Sequence, residues 1–508
     1  MSRRCDSAKR FWRLMMCRKN PWAYLTMLLA VAGCAAPPKD AAWPPRRPLG
    51  GDIAAYVPPQ KPPADPTPPE FQEPTGVVDL RTAWSAALMR NPQLRAFSWE
   101  VRAAEARVLQ ASLPPNPDLE VEIEELRTSR GAGETSRKVT LGPEGFEVEQ
   151  ETEEGPGSGF GSAEYVIGLS QVIELGGKRP KRTAVAALER DLAGWDYETR
   201  RVSVLTEVAK AFVDVLAAQE RVALTGKLVE LSETLLTTVD ERLRAGKETP
   251  LEQTKARVAL ATRRIEAEQA DRRLNAARKR LAALWDGQTA EFEKVEAVFD
   301  RVRPIPAVEE LADLIDQNPE IARWAAEMAH RQAQVELAKA RRIGDLTVAG
   351  GIQHFAEEDD TAIVLGFSLP LPLFDRNQGG IAEAAFAAAK AAEERRAARV
   401  QVQAALTETY QELASALSQV TGLRESVLPA ASEAFEAAAE GYRAGKFTYL
   451  DVLDAQRTYF EGQGQYIDAL EAYHKAVADI EQLIGQSLAS VGRRQETTTQ
   501  ETDHEQPK

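Results

Sequence analysis

The chain has 508 residues, of which 44% are hydrophobic but only 6% aromatic, and a formal charge of −14 with 28% charged side chains. The length allows two to four ordinary domains, the aromatic poverty argues against a large globular enzyme core, and the acidic balance excludes a basic nucleic-acid footprint. Cysteines stop at Cys34, after Cys5 and Cys17, so no disulfide, thiolate metal site or Cys nucleophile lies beyond it. His330, His354, His474 and His504 are too scattered for an imidazole metal site or a triad and read as surface or lumen residues. No catalytic residue, resident metal or cofactor is expected.

The first 33 residues read as an export signal. Arg3, Arg4, Lys9, Arg10, Arg13, Arg18 and Lys19 precede an apolar stretch from Ala23 to Gly33 that is too short to span a bilayer. Leu29-Ala-Val-Ala-Gly-Cys34 resembles the bacterial lipobox, which implies acylation of Cys34; an ordinary signal peptide is the alternative. Ala35 after that cysteine resembles the pattern of lipoproteins sent to the outer membrane of Gram-negative bacteria. Residues 34–76 form a Pro-rich linker, expected to be an extended spacer without a core. Residues 489–508 are polar and expected to be a disordered tail.

Between these ends the chain is duplicated. Asn91-Pro-Gln-Leu94 recurs as Asn318-Pro-Glu-Ile321, and the offset of 227 continues without a gap to Val121 and Val348. Arg244-Ala-Gly-Lys247 recurs at an offset of 199 as Arg443-Ala-Gly-Lys446. The first unit covers 77–290 and the second 305–488; the excess of the first lies in a Gly- and Glu-rich loop from Arg127 to Ala163.

Each unit reads helix, strand, loop, strand, long helix, turn, long helix. A helix from Pro92 to Ser112 stops at Pro114-Pro115. Leu119-Glu-Val-Glu-Ile-Glu124 then alternates strictly, as a two-faced strand does, within a strand of about 118–126; its partner is about 164–175. The second unit has strands at about 345–355 and 361–373, each near the length that a tilted membrane strand needs, with soluble-sheet packing as the alternative. Helical hairpins follow at about 178–285 and 380–485, the first arm of each, Lys178 to Ala245 and Gly380 to Ala444, reaching roughly 100 Å at ~1.5 Å per residue. The stripe Leu224, Leu228, Leu231, Leu235, Val239, Leu243 has coiled-coil spacing. Gly246 and Gly445 suit left-handed helix ends, and Thr249-Pro-Leu-Glu252 and Thr448-Tyr-Leu-Asp451 suit capping boxes that start the return helices.

Two strands per unit give four per chain, too few to close a transmembrane barrel, and an open edge in lipid leaves backbone groups unpaired. Several chains must then share one barrel. The fold class is therefore mainly α with a small transmembrane β part. Three chains would supply a 12-stranded barrel above a tunnel of long helices.

This arrangement is similar to the TolC family of outer membrane efflux proteins, over nearly all of the chain from Val77 to Gly485. The resemblance is carried by the paired Asn-Pro motifs, Gly168-Leu-Ser-Gln171, Glu174-Leu-Gly-Gly-Lys-Arg179, Leu371-Pro-Leu-Phe-Asp-Arg376 and the stretch from Tyr442 to Arg457. It implies a homotrimer with a β-barrel in outer membrane lipid and a periplasmic helical tunnel. A periplasmic adaptor would meet the tunnel's inner end and connect it with an inner-membrane pump of the RND class. Glu174-Leu-Gly-Gly-Lys-Arg179 and Tyr473-His-Lys-Ala476 look most like the heavy-metal cation branch; a multidrug or type I secretion channel is the alternative. A lipid-anchored periplasmic coiled-coil scaffold without a pore is the reading from another class, and it leaves the alternating strands unexplained.

The resemblance also places function on residues. Asp451 and Asp454 match the family's entrance aspartates, and three chains would set six carboxylates around the aperture. Helix capping is the other reading of Asp451. In the first unit the matching positions are Glu252 and Lys255, so the aperture need not be uniformly acidic. The tips Arg244, Ala245, Gly246 and Arg443, Ala444, Gly445 are the implied adaptor-docking turns. Glu120, Glu122 and Glu124 either line the barrel lumen or are solvated edge residues.

Overall fold

The computed structural model describes residues 43, 45–61, 72–124, 135–142, 145–152, 164–355 and 360–491, with the strands of 135–142 and 145–152 described by their backbone. The signal region, Cys34, His504 and most of the C-terminal tail lie outside the described residues. In chain order the elements are β1 (Gly76–Val78), α1 (Leu80–Arg90), α2 (Pro92–Ser112), β2 (Asp118–Glu124), β3 (Thr135–Gly142), β4 (Gly145–Thr152) and β5 (Glu164–Ile173). The first hairpin is α3 (Lys178–Arg244) and α4 (Pro250–Ala283). There follow β6 (Phe292–Val295), α5 (Val308–Ala312), α6 (Pro319–Ala340), β7 (Leu346–Phe355) and β8 (Asp360–Ser368). The second hairpin is α7 (Gln378–Gly422), a π turn (Leu423–Val427), α8 (Leu428–Arg443) and α9 (Tyr449–Ile484).

The two Asn-Pro motifs do the same double task. Asn91 accepts from Leu94 N at 3.0 Å to cap α2, while its amide donates to the Leu284 carbonyl at 2.9 Å. Asn318 accepts from Glu320 N at 2.8 Å to cap α6 and donates to the Leu483 carbonyl at 3.1 Å. Proline at the first helical position costs nothing, because that N–H has no intrahelical partner. Each asparagine thus ties the beginning of its unit to the end of its own return helix.

The second long arm is not uniform as α3 is. Between α7 and α8 the helix widens to a π turn just before Pro429. Proline has no N–H and its ring crowds the carbonyl four residues back, so a locally wider turn relieves the conflict. In α3 the stripe Leu228, Leu235, Val239 is buried as its spacing requires.

A single antiparallel sheet has the order β4-β3-β2-β5-β7-β8. Its centre contains the four expected strands, but the stretch expected to be a loop holds the β3–β4 hairpin, joined to the outer half of β2 through Glu122↔Thr140 and Ile123↔Val139. β8 ends at Ser368, earlier than the alternation of Leu369 and Leu371 suggests, because Pro370 and Pro372 cannot donate to a ladder.

The main core lies between the sheet and the hairpin tips, where α1, α2, β1 and β6 pack on the middle of α3, α7 and α9 around Leu88, Leu205, Phe212, Trp285, Phe292, Leu311 and Leu406. The Pro-rich linker contributes to it, contrary to the expectation of a spacer without a core. Leu49 and Ile53 are buried in that cluster, and Trp43 meets Tyr197 edge-on at 4.6 Å. The cause is a buried ion pair on α3. Arg201 binds Glu198 through two nitrogens at 2.7 and 2.8 Å and donates to the carbonyls of Leu49 at 3.0 Å and Arg47 at 3.1 Å. Glu198 in turn accepts from Arg47 N at 2.5 Å. A charge this deep is tolerable only when its lone pairs and protons are all used, and the linker backbone supplies the missing partners. Gly50 makes the turn at φ +58°, where an added Cβ would sit 2.8 Å from Leu205.

Candidate channel lumen and periplasmic entrance

The sheet has two unlike faces. On one, Leu119 pairs across to Leu169, Ile167 to Ile352, Ile352 to Ile363 and Val348 to Phe367. These side chains stand free, from 42% exposed at Val348 to 85% at Phe367. On the other face the rows run Glu120, Gly168, Gly351, Val364, then Glu122, Val166, Gln353, Ala362, and then Glu124, Glu164, Phe355, Asp360. Glu120, Glu122 and Glu124 therefore share the polar face. Glu164, which accepts from Gln353 at 2.7 Å, joins them, although no local alternation of charge marks it in the sequence. A contiguous exposed apolar face of this extent is untenable in water, while a tilted strand of a membrane barrel has this pattern of one apolar and one polar side. Among the described residues no helix is long and apolar enough to cross a membrane.

At the opposite end are the two hairpin tips. Gly246 at φ +70° and Gly445 at φ +78° end their helices in the left-handed region. Lys247 N donates to Arg242 O at 2.9 Å and Lys446 N to Gly441 O at 2.8 Å, so both turns close with the same six-residue bond. Arg244, Ala245 and Gly246, like Arg443, Ala444 and Gly445, are exposed and present open backbone.

The tips are joined by a second core that the sequence did not reveal. Val239, Ala256, Tyr442, Tyr449 and Val452 are buried together there. Arg242 lies over the Tyr442 ring at 4.6 Å and donates to the Tyr442 carbonyl at 2.9 Å. The Tyr442 hydroxyl donates to Glu248 at 3.4 Å, and Glu248 lies 3.7 Å from Arg242. Burial, with Glu248 close by, pushes the Tyr442 phenol up to about 12; burial and Glu252 do the same for Tyr449. Both therefore remain neutral at physiological pH. The only sequence signal for this contact is that Tyr442 begins the family-like stretch.

The three proposed gate carboxylates have different surroundings. Asp451 caps α9, accepting from Thr448 N at 2.7 Å while Thr448 Oγ1 accepts from Asp451 N at 3.4 Å. These bonds lower its pKa below the usual carboxylate range. Asp454, one turn on, is exposed and paired with Arg457 at 2.8 Å. Glu252 is mostly buried and turns to Lys255 at 3.0 Å, so at Thr249 only the serine/threonine half of a capping box forms. Asp451 and Asp454 face solvent together, whereas Glu252 belongs to the contact between the tips.

Two histidines expected at a surface or lumen lie inside the helical packing. His330 is buried, 3.3 Å from Glu189 and 3.2 Å from Gln334. His474 stacks on Phe299 and bonds to its carbonyl at 2.8 Å; burial lowers its pKa against the raising effect of that bond. Among the described residues no group of three or more His, Cys, Asp or Glu side chains is placed to hold a metal ion.

The family model described as "Outer membrane efflux protein" matches residues 83–287 and 311–486. The cobalt-zinc-cadmium resistance protein CzcC of Cupriavidus metallidurans is 32% identical over 82% of this chain and 91% of its own length. The pyoverdine export outer membrane protein OpmQ of Pseudomonas aeruginosa is 27% identical over 76% of this chain and 81% of its own. Among solved structures, CusC superposes with a TM-score of 0.65 at 16% identity, covering 85% of this chain and all (100%) of its own. VceC of Vibrio cholerae gives 0.62 at 17%, over 80% and 96%. Members of this family are channels, not enzymes. On the strength of the two matched segments and the CzcC relationship, the chain belongs to the outer membrane efflux protein family.

Proposed function

We propose that three copies of this chain form a passive outer membrane conduit in a tripartite system that exports divalent transition-metal cations. A periplasmic adaptor would dock on the tips and an RND pump in the inner membrane would supply the driving force. The observation that carries this reading is the exposed apolar face of β2, β5, β7 and β8 opposite a face bearing Glu120, Glu122, Glu124 and Glu164. Four staves per chain leave backbone edges that lipid cannot satisfy, and joining copies removes them. The helical layer supports the same conclusion. Leu251, Val258 and Ile265 repeat every seven residues along one flank of α4 and are 56–61% exposed, as an uncovered coiled-coil seam would be.

For the cargo, support comes from relatives named for cobalt-zinc-cadmium and nickel-cobalt-cadmium resistance. Acidic residues along the lumen and Asp454 at the entrance would raise local cation concentration without holding any ion tightly, which suits a conduit. Acylation of Cys34 would add a lipid anchor. The test is a strain lacking this gene. Growth inhibited by cobalt, zinc, cadmium or nickel and restored by the intact gene supports the reading; sensitivity confined to antibiotics or a siderophore overturns the cargo assignment.

A further inference from the structure

We infer that the junction between barrel and helices holds an anionic phospholipid, with its phosphate on Arg342 and Arg376 and its acyl chains on the apolar loop after β8. The inference deepens the outer membrane reading and rests on it, since the loop must lie at the inner boundary of that membrane. After Ser368 the chain leaves the sheet, yet Leu371, Leu373 and Phe374 remain 65–90% exposed. They continue the apolar face of β8 past its last ladder bond, where packing within the chain does not use them. A cavity of about 590 Å³ opens beside them, lined by the loop itself and by Lys339, Arg342, Ile343 and Arg376.

The loop is held rigidly. Pro370 packs against Gly344, where an added Cβ would fall 2.6 Å from the ring. The Arg376 guanidinium donates to the Pro372 carbonyl at 3.1 Å, and Asn377 donates to the Ala338 carbonyl at 2.8 Å. The surrounding carboxylates are already engaged. Asp345 is bound by Lys178 at 2.8 Å, Glu336 by Lys339 at 2.7 Å, Glu174 by Arg182, and Asp375 accepts from Asn377 N at 2.8 Å. Arg342 and Arg376 have no carboxylate partner among the described residues. Two uncompensated guanidiniums beside exposed leucines and a phenylalanine match a phosphate with acyl chains attached, which supplies bidentate acceptors and an apolar body at once.

The internal duplication shows that the fold does not demand these cations. At the offset of 227, Lys339, Arg341 and Arg342 correspond to Ser112, Pro114 and Pro115, which carry no charge. The cations at 339–342 belong to the second unit alone, as does the apolar loop, whose place in the first unit is taken by Leu175-Gly-Gly-Lys178.

The experiment is native mass spectrometry of the full-length protein released from nanodiscs containing equal phosphatidylglycerol and phosphatidylethanolamine, with lipid counted per chain. The wild type is expected to retain phosphatidylglycerol at least fivefold over phosphatidylethanolamine. Arg342→Gln with Arg376→Gln should abolish the preference, and Leu371→Ser with Phe374→Ser should lower retention of both lipids. Millimolar inorganic phosphate should not displace the lipid; displacement would mean that a free phosphate suffices and would overturn the lipid assignment. Unchanged preference in the arginine variant also overturns it. Because Arg376 braces the loop, the single variant Arg342→Gln keeps the test decisive should the double variant misfold. A photocrosslinker at Leu371 should label lipid; labelling of a second copy of the chain would show that the loop belongs to a subunit seam instead. Conductance in neutral bilayers should be unaffected by Arg342→Gln, so loss of the channel reading and loss of the lipid site remain distinguishable.

Discussion

The Arg242 guanidinium rests 4.6 Å from the centre of the Tyr442 ring and donates to the same residue's carbonyl, joining tips that lie 200 residues apart in the chain. A cation over an aromatic face contributes ~0.5–1 kcal/mol and a charge-assisted hydrogen bond about 1.5–3 kcal/mol. Together they hold the two hairpins in one arrangement. Arg242→Ala should therefore loosen the tips and raise single-channel conductance or open probability severalfold, with Arg242→Lys between. Conductance equal to wild type in Arg242→Ala would show that this contact does not govern the aperture.

Asp451 and Asp454 should separate when each is changed alone. Asp451→Ala removes a cap and should cost about 1 kcal/mol of stability, whereas Asp451→Asn keeps an acceptor and should cost less. Asp454→Asn should leave stability within ~0.5 kcal/mol while lowering the ratio of cation to anion permeability. Reversal potentials in a salt gradient measure the second effect. No change in selectivity for Asp454→Asn would remove it from the entrance.

The buried pair on α3 gives a larger effect. Glu198→Gln leaves Arg201 without its countercharge and should destabilise the fold by ~3–5 kcal/mol, since the surviving charge stays buried. The loss should appear first at Trp43 to Gly51, because Arg201 and Glu198 bond directly to that backbone. Protease cleavage within this stretch, compared with global thermal unfolding, checks the order. Simultaneous loss at both would mean that the stretch is not a separately held strap.

His474 predicts an acid sensitivity. Its folded-state pKa is lowered from an unfolded value near 6.5, so below about pH 6.5 the unfolded chain binds the proton more readily. Stability is then intact at neutral pH and falls as the pH drops through that window. His474→Gln, which can still donate to the Phe299 carbonyl, should flatten the fall in unfolding temperature between pH 7 and pH 5. An unchanged pH profile would assign the sensitivity to other groups.

What could be read from the sequence was whatever local chemistry decides. Glycine at 246 and 445, proline after Asn91 and Asn318, and the strict alternation of 119–124 each fix backbone geometry within a few residues. The β3–β4 hairpin was hidden by its Gly- and Glu-rich surroundings, although Val139, Leu141, Phe146 and Val148 alternate on either side of the paired Gly142 and Gly145. Arg47 and Leu49 looked like spacer residues because their partners, Glu198 and Arg201, lie about 150 positions away. The Arg242–Tyr442 contact is equally remote in sequence, and nothing local announces it. At the proposed gate, residue spacing could place Asp451 and Asp454 on one face but could not show that Thr448 engages the first of them.

If each chain contributes only part of a ring, as proposed, chains must join. The most direct measurement is the mass of the folded protein in lipid nanodiscs, determined without crosslinking. Three chains per particle are expected. A particle holding one chain, with the outer edges of β2 and β8 stable in lipid, would contradict that expectation.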